Sequence, residues 1–308
     1  MSELPQSVRI REVGPRDGFQ NEPEVIPTDD KVRLIGMLAA SGVRRLEVTS
    51  LVRPDVIPQL ADAEQLLARL QPPAGGVAYS VLVPNEKGLE RALAHRDRFD
   101  EINLFLSASE THNRKNVNSS IAESLSGLER TIARGVEEGL RCEGVISVSF
   151  GCPYEGEVPP ERVFGIAARL AEAGCEEVAF GDTTGMANPR QVSDFFAGAR
   201  ERLPGVELTG HFHNTRGQGL ANVLAALEQG VDSFESAFGE LGGCPVPPGS
   251  TGNISTEDLV SMLHEMGIDT GIELRKLIEA SRAVQELLGR PLGAHVLRAG
   301  PVEWHRDE

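Results

Sequence analysis

Arg16 and Asp17 stand side by side where an alternating run over 8–13 breaks into a Gly/Pro turn, and far downstream His211 and His213 close another such run. Alternate residues of a strand share a face, so the two imidazoles aim one way. One carboxylate and two imidazoles, with room for an amide oxygen, suit Mg2+ or Mn2+ and leave positions for substrate oxygens. The thiolates that structural zinc favours are not part of the set. Such a cation polarises a carbonyl or holds an alkoxide, and an adjacent Arg suits a developing oxyanion. The chemistry indicated is enolate formation, and hence carbon–carbon cleavage or condensation.

Each residue also has a plainer explanation. Arg16 and Asp17 can form a structural ion pair beside a turn. Glu47, closing the run 45–49, is either a catalyst or the buried partner that orients Arg16. Asp182, between Gly181 and Gly185, is a functional acid on the rim or an Asx-type turn residue. Cys244, after Gly242-Gly243, is a small buried residue or a thiol on a mobile glycine-rich loop. Cys142 and Cys175 read as core.

Use of these groups together requires a scaffold that joins residue 16 to residue 213. Strand-like runs occupy 8–13, 45–49, 77–83, 101–106, 145–150, 177–180, 207–212 and 233–237. Between and after them, apolar residues three and four apart mark helices at 29–40, 61–70, 121–138, 160–173, 189–202, 218–229, 256–266 and 273–288. Gly42, Gly174 and Gly230 fit helix-ending positions. Alternating units predict a parallel sheet, and eight of them predict a (β/α)8 TIM barrel, an α/β fold of about 250 residues. We expect one domain over 1–308, with the barrel at about 8–254 and extra C-terminal helices at about 255–290. No G-x-G-x-x-G follows the first strand, which disfavours an open dinucleotide-binding sheet. In a barrel, the carboxyl ends of the strands form the active face. Arg16, Asp17, Glu47, the stretch 113–118, Asp182, His211, His213 and the run 239–252 all fall there.

The 308 residues carry a net charge of −16, which argues against nucleic acid or an anionic membrane as partner. An anionic small molecule remains compatible, because a metal or an Arg reverses the local field. No run approaches the roughly 18–20 apolar residues of a transmembrane helix, and residues 1–7 lack a basic leader. The four cysteines show no C-x-x-C spacing. A cytoplasmic, reducing setting is expected.

The motifs resemble the 3-hydroxy-3-methylglutaryl-CoA lyase family, one of the metal-dependent lyase and Claisen-type TIM barrels. The resemblance rests on Glu12-Val-Gly-Pro-Arg-Asp-Gly-Phe-Gln-Asn-Glu, Glu47-Val-Thr-Ser, Lys115-Asn-Val-Asn, Gly151-Cys-Pro-Tyr-Glu-Gly, Gly181-Asp-Thr, His211-Phe-His, Leu241-Gly-Gly-Cys-Pro and Gly252-Asn. It spans roughly residues 8 to 290 in order. It implies Asp17, His211, His213 and Asn253 as ligands of Mg2+ or Mn2+, and His211 also among the catalytic groups. Arg16 would stabilise the thioester enolate, with Glu47 supporting it, and Asp182 would relay the hydroxyl proton. Cys244 would ride on a loop that closes over the acyl group, and Arg16, Gln20 and Asn116 would contact an acyl-CoA substrate. The implied reaction is retro-Claisen cleavage to acetoacetate and acetyl-CoA, and the implied assembly is a homodimer.

Departures fall near that chemistry. Phe19 replaces a commoner Leu, Glu240 replaces a Gly, and Val246 replaces a Tyr. Asn214-Thr-Arg replaces Asp-Thr-Tyr, and the run 145–150 lacks the usual Tyr. Arg216 suits a carboxylate, a CoA phosphate or plain solvation. The altered loops keep three further readings open: a lyase for a related thioester such as citramalyl-CoA, a Claisen-type synthase, and a metal-binding barrel without turnover. The synthases of this group carry extra C-terminal sequence, which ranks condensation below lysis.

Overall fold

The computed structural model describes residues 4–243 and 252–304, so Cys244 and Val246 lie outside the described residues. Its centre is a closed parallel barrel of eight strands in chain order. The strands are β1 (Arg9–Glu12), β2 (Arg45–Ser50), β3 (Ala78–Leu82), β4 (Glu101–Ser107), β5 (Arg141–Ser147), β6 (Glu177–Asp182), β7 (Glu207–Phe212) and β8 (Ser233–Ser236). Pairing of Arg9 with Ser233 and of Glu12 with Ser236 closes β1 on β8.

Helices cover the outside: α1 (Thr28–Ala40), α2 (Ala63–Arg69), α3 (Glu86–Leu93), α4 (Glu110–Val117), α5 (Ile121–Glu137), α6 (Pro160–Ala173), α7 (Pro189–Arg202) and α8 (Gly219–Glu228), then α9 (Thr256–Glu265), α10 (Leu274–Leu288) and α11 (His295–Ala299). Local chemistry sets their ends. Ser120 and Glu123 form a reciprocal capping box at the start of α5. The Asn188 side chain caps α7, whose first residue is proline. Strand residues such as Val48, Ile102, Val178 and Phe180 pack outward against Leu34, Leu38, Val163, Leu170 and Phe196, all fully or nearly fully buried. Among the described residues, no helix is long and apolar enough to cross a membrane.

Three sequence expectations need correction. The fifth strand spans Arg141–Ser147 rather than 145–150, because Val148 at φ 53° turns the chain out of the sheet. Alternating charges at 141 and 143 had masked its start. The stretch 113–118 is not a loop but most of α4, ended by Asn118 in the left-handed region at φ 53°. The C-terminal helices continue past 290, through α11.

The amino-terminal half of the barrel interior is filled with charge. Arg11 meets Glu101 at 2.8 Å and Glu235 at 3.3 Å, and also pairs with Glu143. Arg45 meets Glu177 at 2.6 Å and Glu101 at 3.1 Å. Burial would raise the Glu177 carboxyl, but Arg11 and Arg45 outweigh it and hold the group well below the usual range. Removing one partner from such a set strands a buried charge and costs about 3–5 kcal/mol. This floor closes one end of the barrel and leaves the other for chemistry.

Candidate active site

The chain leaves β1 through a π-helical turn, Gly14–Gly18, in which Asp17 and Gly18 donate backbone N–H groups to the Val13 carbonyl. The turn needs glycine at its start, since a Cβ on Gly14 would lie 2.4 Å from the Phe238 ring. This tight geometry aims Arg16 and Asp17 into the barrel mouth. Glu47, fully buried on β2, accepts from Arg16 Nε at 2.7 Å through Oε2 and from Asn103 at 3.2 Å through Oε1. The other arm of Arg16 donates to Asp17 Oδ1 at 2.6 Å. Glu47 therefore positions the guanidinium, and Arg16 links the β1 and β2 ends.

Asp17 Oδ1 also accepts from Gln20 at 2.8 Å, and its Oδ2 accepts from Asn253 Nδ2 at 2.8 Å. Burial would raise this carboxyl, but Arg16, then His211 and His213, outweigh it and hold it at about 2. His211 Nδ1 meets Glu235 Oε2 at 2.7 Å, which turns its Nε2 toward His213 Nε2, 3.1 Å away. Burial, with His211 next to it, pushes His213 down to about 3, so that imidazole stays neutral and able to ligate. After residue 252 the chain pairs back onto the end of β7: Asn214 N donates to the Gly252 carbonyl and Ile254 N to that of Phe212. That return sets Asn253 opposite His213.

One donor atom each from Asp17, His211 and His213 lies within 4.8 Å of the others. Asn253 Oδ1 and His213 Nδ1 are buried and lack a hydrogen-bond partner among the described residues. An orphaned buried amide oxygen beside a carboxylate and two facing imidazole nitrogens fits a divalent cation. The donor set is therefore right for a divalent metal.

The site opens into a cavity of about 430 Å3. Arg16, Asp17, Gln20, His211, His213 and Glu235 line one side; Leu82, Phe105 and Val145 line an apolar wall; His112, Lys115 and Asn116 of α4 line the far side. Asp182 does not reach this surface, where its neighbours Gly181 and Thr183 stand instead. Its Oδ1 accepts from Met186 N at 2.7 Å and Ala187 N at 3.1 Å, four and five residues on and so not the Asx turn the glycines suggested, while Oδ2 is buried without a partner among the described residues. Burial, against those two N–H groups, raises its carboxyl to about 6. Among the described residues Arg216 binds no cavity group; it donates to the carbonyls of Thr184 and Gly185 at 2.9 and 2.7 Å and clamps the β6 loop.

Residues 7–284 match the family model described as HMGL-like. The chain belongs to the HMGL-like family. Hydroxymethylglutaryl-CoA lyase YngG of Bacillus subtilis is 44% identical over 96% of this chain and 97% of its own. The mitochondrial hydroxymethylglutaryl-CoA lyase of Rattus norvegicus is 42% identical over 97% and 91%. Among solved structures, an HMG-CoA lyase of Acinetobacter baumannii in complex with coenzyme A and 3-methylmalate superposes with a TM-score of 0.92, with 40% identity over 99% of both chains. Against this HMGL-like scaffold, sequence reasoning had passed over Glu235, His112 and Asn103. An acid at an inward position of a strand was the available signal for Glu235, as was a histidine just past the β4 rim for His112.

Proposed function

We propose that this chain is a metal-dependent carbon–carbon lyase that cleaves 3-hydroxy-3-methylglutaryl-CoA to acetoacetate and acetyl-CoA. The observation that carries this is the convergence of Asp17, His211 and His213 beside Arg16 in the mouth of an HMGL-like barrel. Mg2+ or Mn2+ held by Asp17, His211, His213 and the Asn253 amide oxygen would supply Lewis acidity toward the substrate oxygens.

The chain's own residues then have distinct tasks. Arg16, fixed by Glu47, faces the thioester oxygen on which charge grows as the C2–C3 bond breaks. Loss of the C3 hydroxyl proton accompanies that cleavage, and the bonding electrons become the enolate. Asp182 sits behind the cavity wall, so it takes that proton through a relay rather than by direct contact; its raised carboxyl suits the task near neutral pH. Protonation of the enolate at C2 falls to Cys244, which follows β8 in the sequence. Gln20 and Asn116 hold the substrate, with Lys115 beside Asn116 at the rim for the CoA arm. A homodimer in the cytoplasm completes the proposal.

The test is acetyl-CoA release by EDTA-stripped protein with and without Mg2+ or Mn2+, using 3-hydroxy-3-methylglutaryl-CoA and citramalyl-CoA side by side. Metal-dependent cleavage of the first supports the proposal. Cleavage of citramalyl-CoA alone keeps the machinery and changes the substrate. In calorimetry, Asp17→Asn and His213→Ala are expected to lose the metal while remaining folded.

A further inference from the structure

The α4 face of the cavity carries a histidine with no task in the chemistry above. His112 Nδ1 lies 2.6 Å from the Oγ of Ser107, the last residue of β4. That contact is the only hydrogen bond of the Ser107 hydroxyl among the described residues; with the hydroxyl donating to Nδ1, the ring proton resides on Nε2. Nε2 has no protein partner among the described residues, and the ring lines the cavity. Burial lowers the proton affinity of the imidazole, which keeps it a neutral N–H donor.

The donors beside the metal ligands are already engaged. Arg16 is matched by Glu47 and Asp17, and the Gln20 amide donates to Asp17. Lys115, one helical turn beyond His112, lies 5.0 Å above the Tyr154 ring at the exposed rim. His112 is anchored to the strand end and sits deeper. Beside it, Ser147 pairs in register with Ser107 and also lines the cavity. A dicarboxylic thioester that reached the metal ligands with its acyl end would hold its free carboxylate within this same cavity, and an N–H donor without a protein partner suits that group.

We propose that His112, held in register by Ser107, is a substrate-binding residue that recognises the free carboxylate of a dicarboxylic acyl-CoA. The proposal rests on the acyl-CoA reading above and names the residue that selects for the second acid group.

Glutaryl-CoA and butanoyl-CoA test it, because they differ by that carboxylate and neither has the 3-hydroxyl needed for cleavage. Dissociation constants are measured by calorimetry on metal-loaded wild type, His112→Phe and His112→Gln. Phe keeps a ring beside Tyr154 and removes the donor; Gln returns an N–H near Nε2. A hydrogen bond to a charged group predicts that wild type prefers glutaryl-CoA and that H112F loses about tenfold or more of that preference. H112Q is expected to recover much of it, with butanoyl-CoA binding alike in all three proteins. A purely structural His112 would weaken both ligands together. That result, an unchanged preference in H112F, or no preference in wild type overturns the assignment. Turnover of 3-hydroxy-3-methylglutaryl-CoA by wild type tests the lyase reading separately, since neither probe is cleaved.

Discussion

Glu235 accepts from His211 Nδ1 at 2.7 Å through one oxygen and meets Arg11 Nη1 at 3.3 Å through the other. A candidate metal ligand is thereby tied to the ion-pair floor of the barrel. The carboxylate fixes the tautomer that leaves His211 Nε2 free to coordinate; against burial, His211 first and then Arg11 keep that carboxylate ionised.

Glu235→Gln is expected to weaken divalent-metal affinity about 10- to 100-fold, the range for loss of a carboxylate behind a ligating histidine. Metal titration by calorimetry reads this directly. Wild-type affinity in the variant would reduce Glu235 to a filler of the barrel interior.

Arg16→Met removes the donor at the developing oxyanion while leaving Asp17 and both imidazoles. A loss of about 10²–10³ in kcat is expected, as for other oxyanion donors, with metal stoichiometry unchanged. Glu47→Gln loosens the same guanidinium and is expected to lower kcat less. An equal loss in both variants would make the Arg16–Glu47 pair a single unit.

The pH dependence of stability has a named source in Glu12. Burial raises this carboxyl to about 8, despite hydrogen bonds from Thr256, Gly14 and Phe238. The folded chain thus retains a proton up to about pH 8 that the unfolded chain, with the ordinary carboxyl value of 4.5, has already released. Folding therefore binds more protons between these limits, and this group's contribution falls as pH rises from 4.5 to 8. Glu12→Gln is expected to flatten that part of the profile in thermal melts of metal-stripped protein. A slope equal to wild type would assign the effect elsewhere.

Glu240 and Gly293 make a steric pair. Glu240 adopts φ 61°, a conformation that favours glycine, and its Oε1 accepts from Asn214, the neighbour of His213, at 2.8 Å. A Cβ on Gly293 would fall 1.8 Å from Glu240 Oε2. Gly293→Ala is expected to displace the carboxylate and destabilise the fold by about 1–3 kcal/mol. Adding Glu240→Gly is expected to recover part of the loss, as melting temperatures of the single and double variants would show. Additive losses would mean that the two residues do not touch in solution.

The barrel was legible in the sequence because its signals repeat: eight strand-like runs, helical spacing between them, and glycines at helix ends. Asp17, His211 and His213 were legible because a strand end fixes where a side chain points. Residues whose role depends on packing were not. Glu235 looks like any acid in a short strand until the barrel closes and brings it to His211. Arg216 invites a substrate role, yet two carbonyls of the neighbouring loop claim its Nη1. The polar segment after β4 reads as a loop, although Ser109 caps it into a helix. Cys244 keeps its proposed part as an expectation, outside the described residues.

The floor of paired charges has a consequence for traffic. Among the described residues, the barrel is sealed below by Arg11, Arg45, Glu101 and Glu177 and opens at the strand carboxyl ends, so entry and exit share that doorway. When a thioester is cut inside, its two fragments must queue. The piece still attached to the bulky carrier stands in the doorway and departs first, and the small keto acid waits behind it. Carrier release is then expected to set the tempo, with acetyl-CoA in surplus acting as a stopper that holds the other product inside.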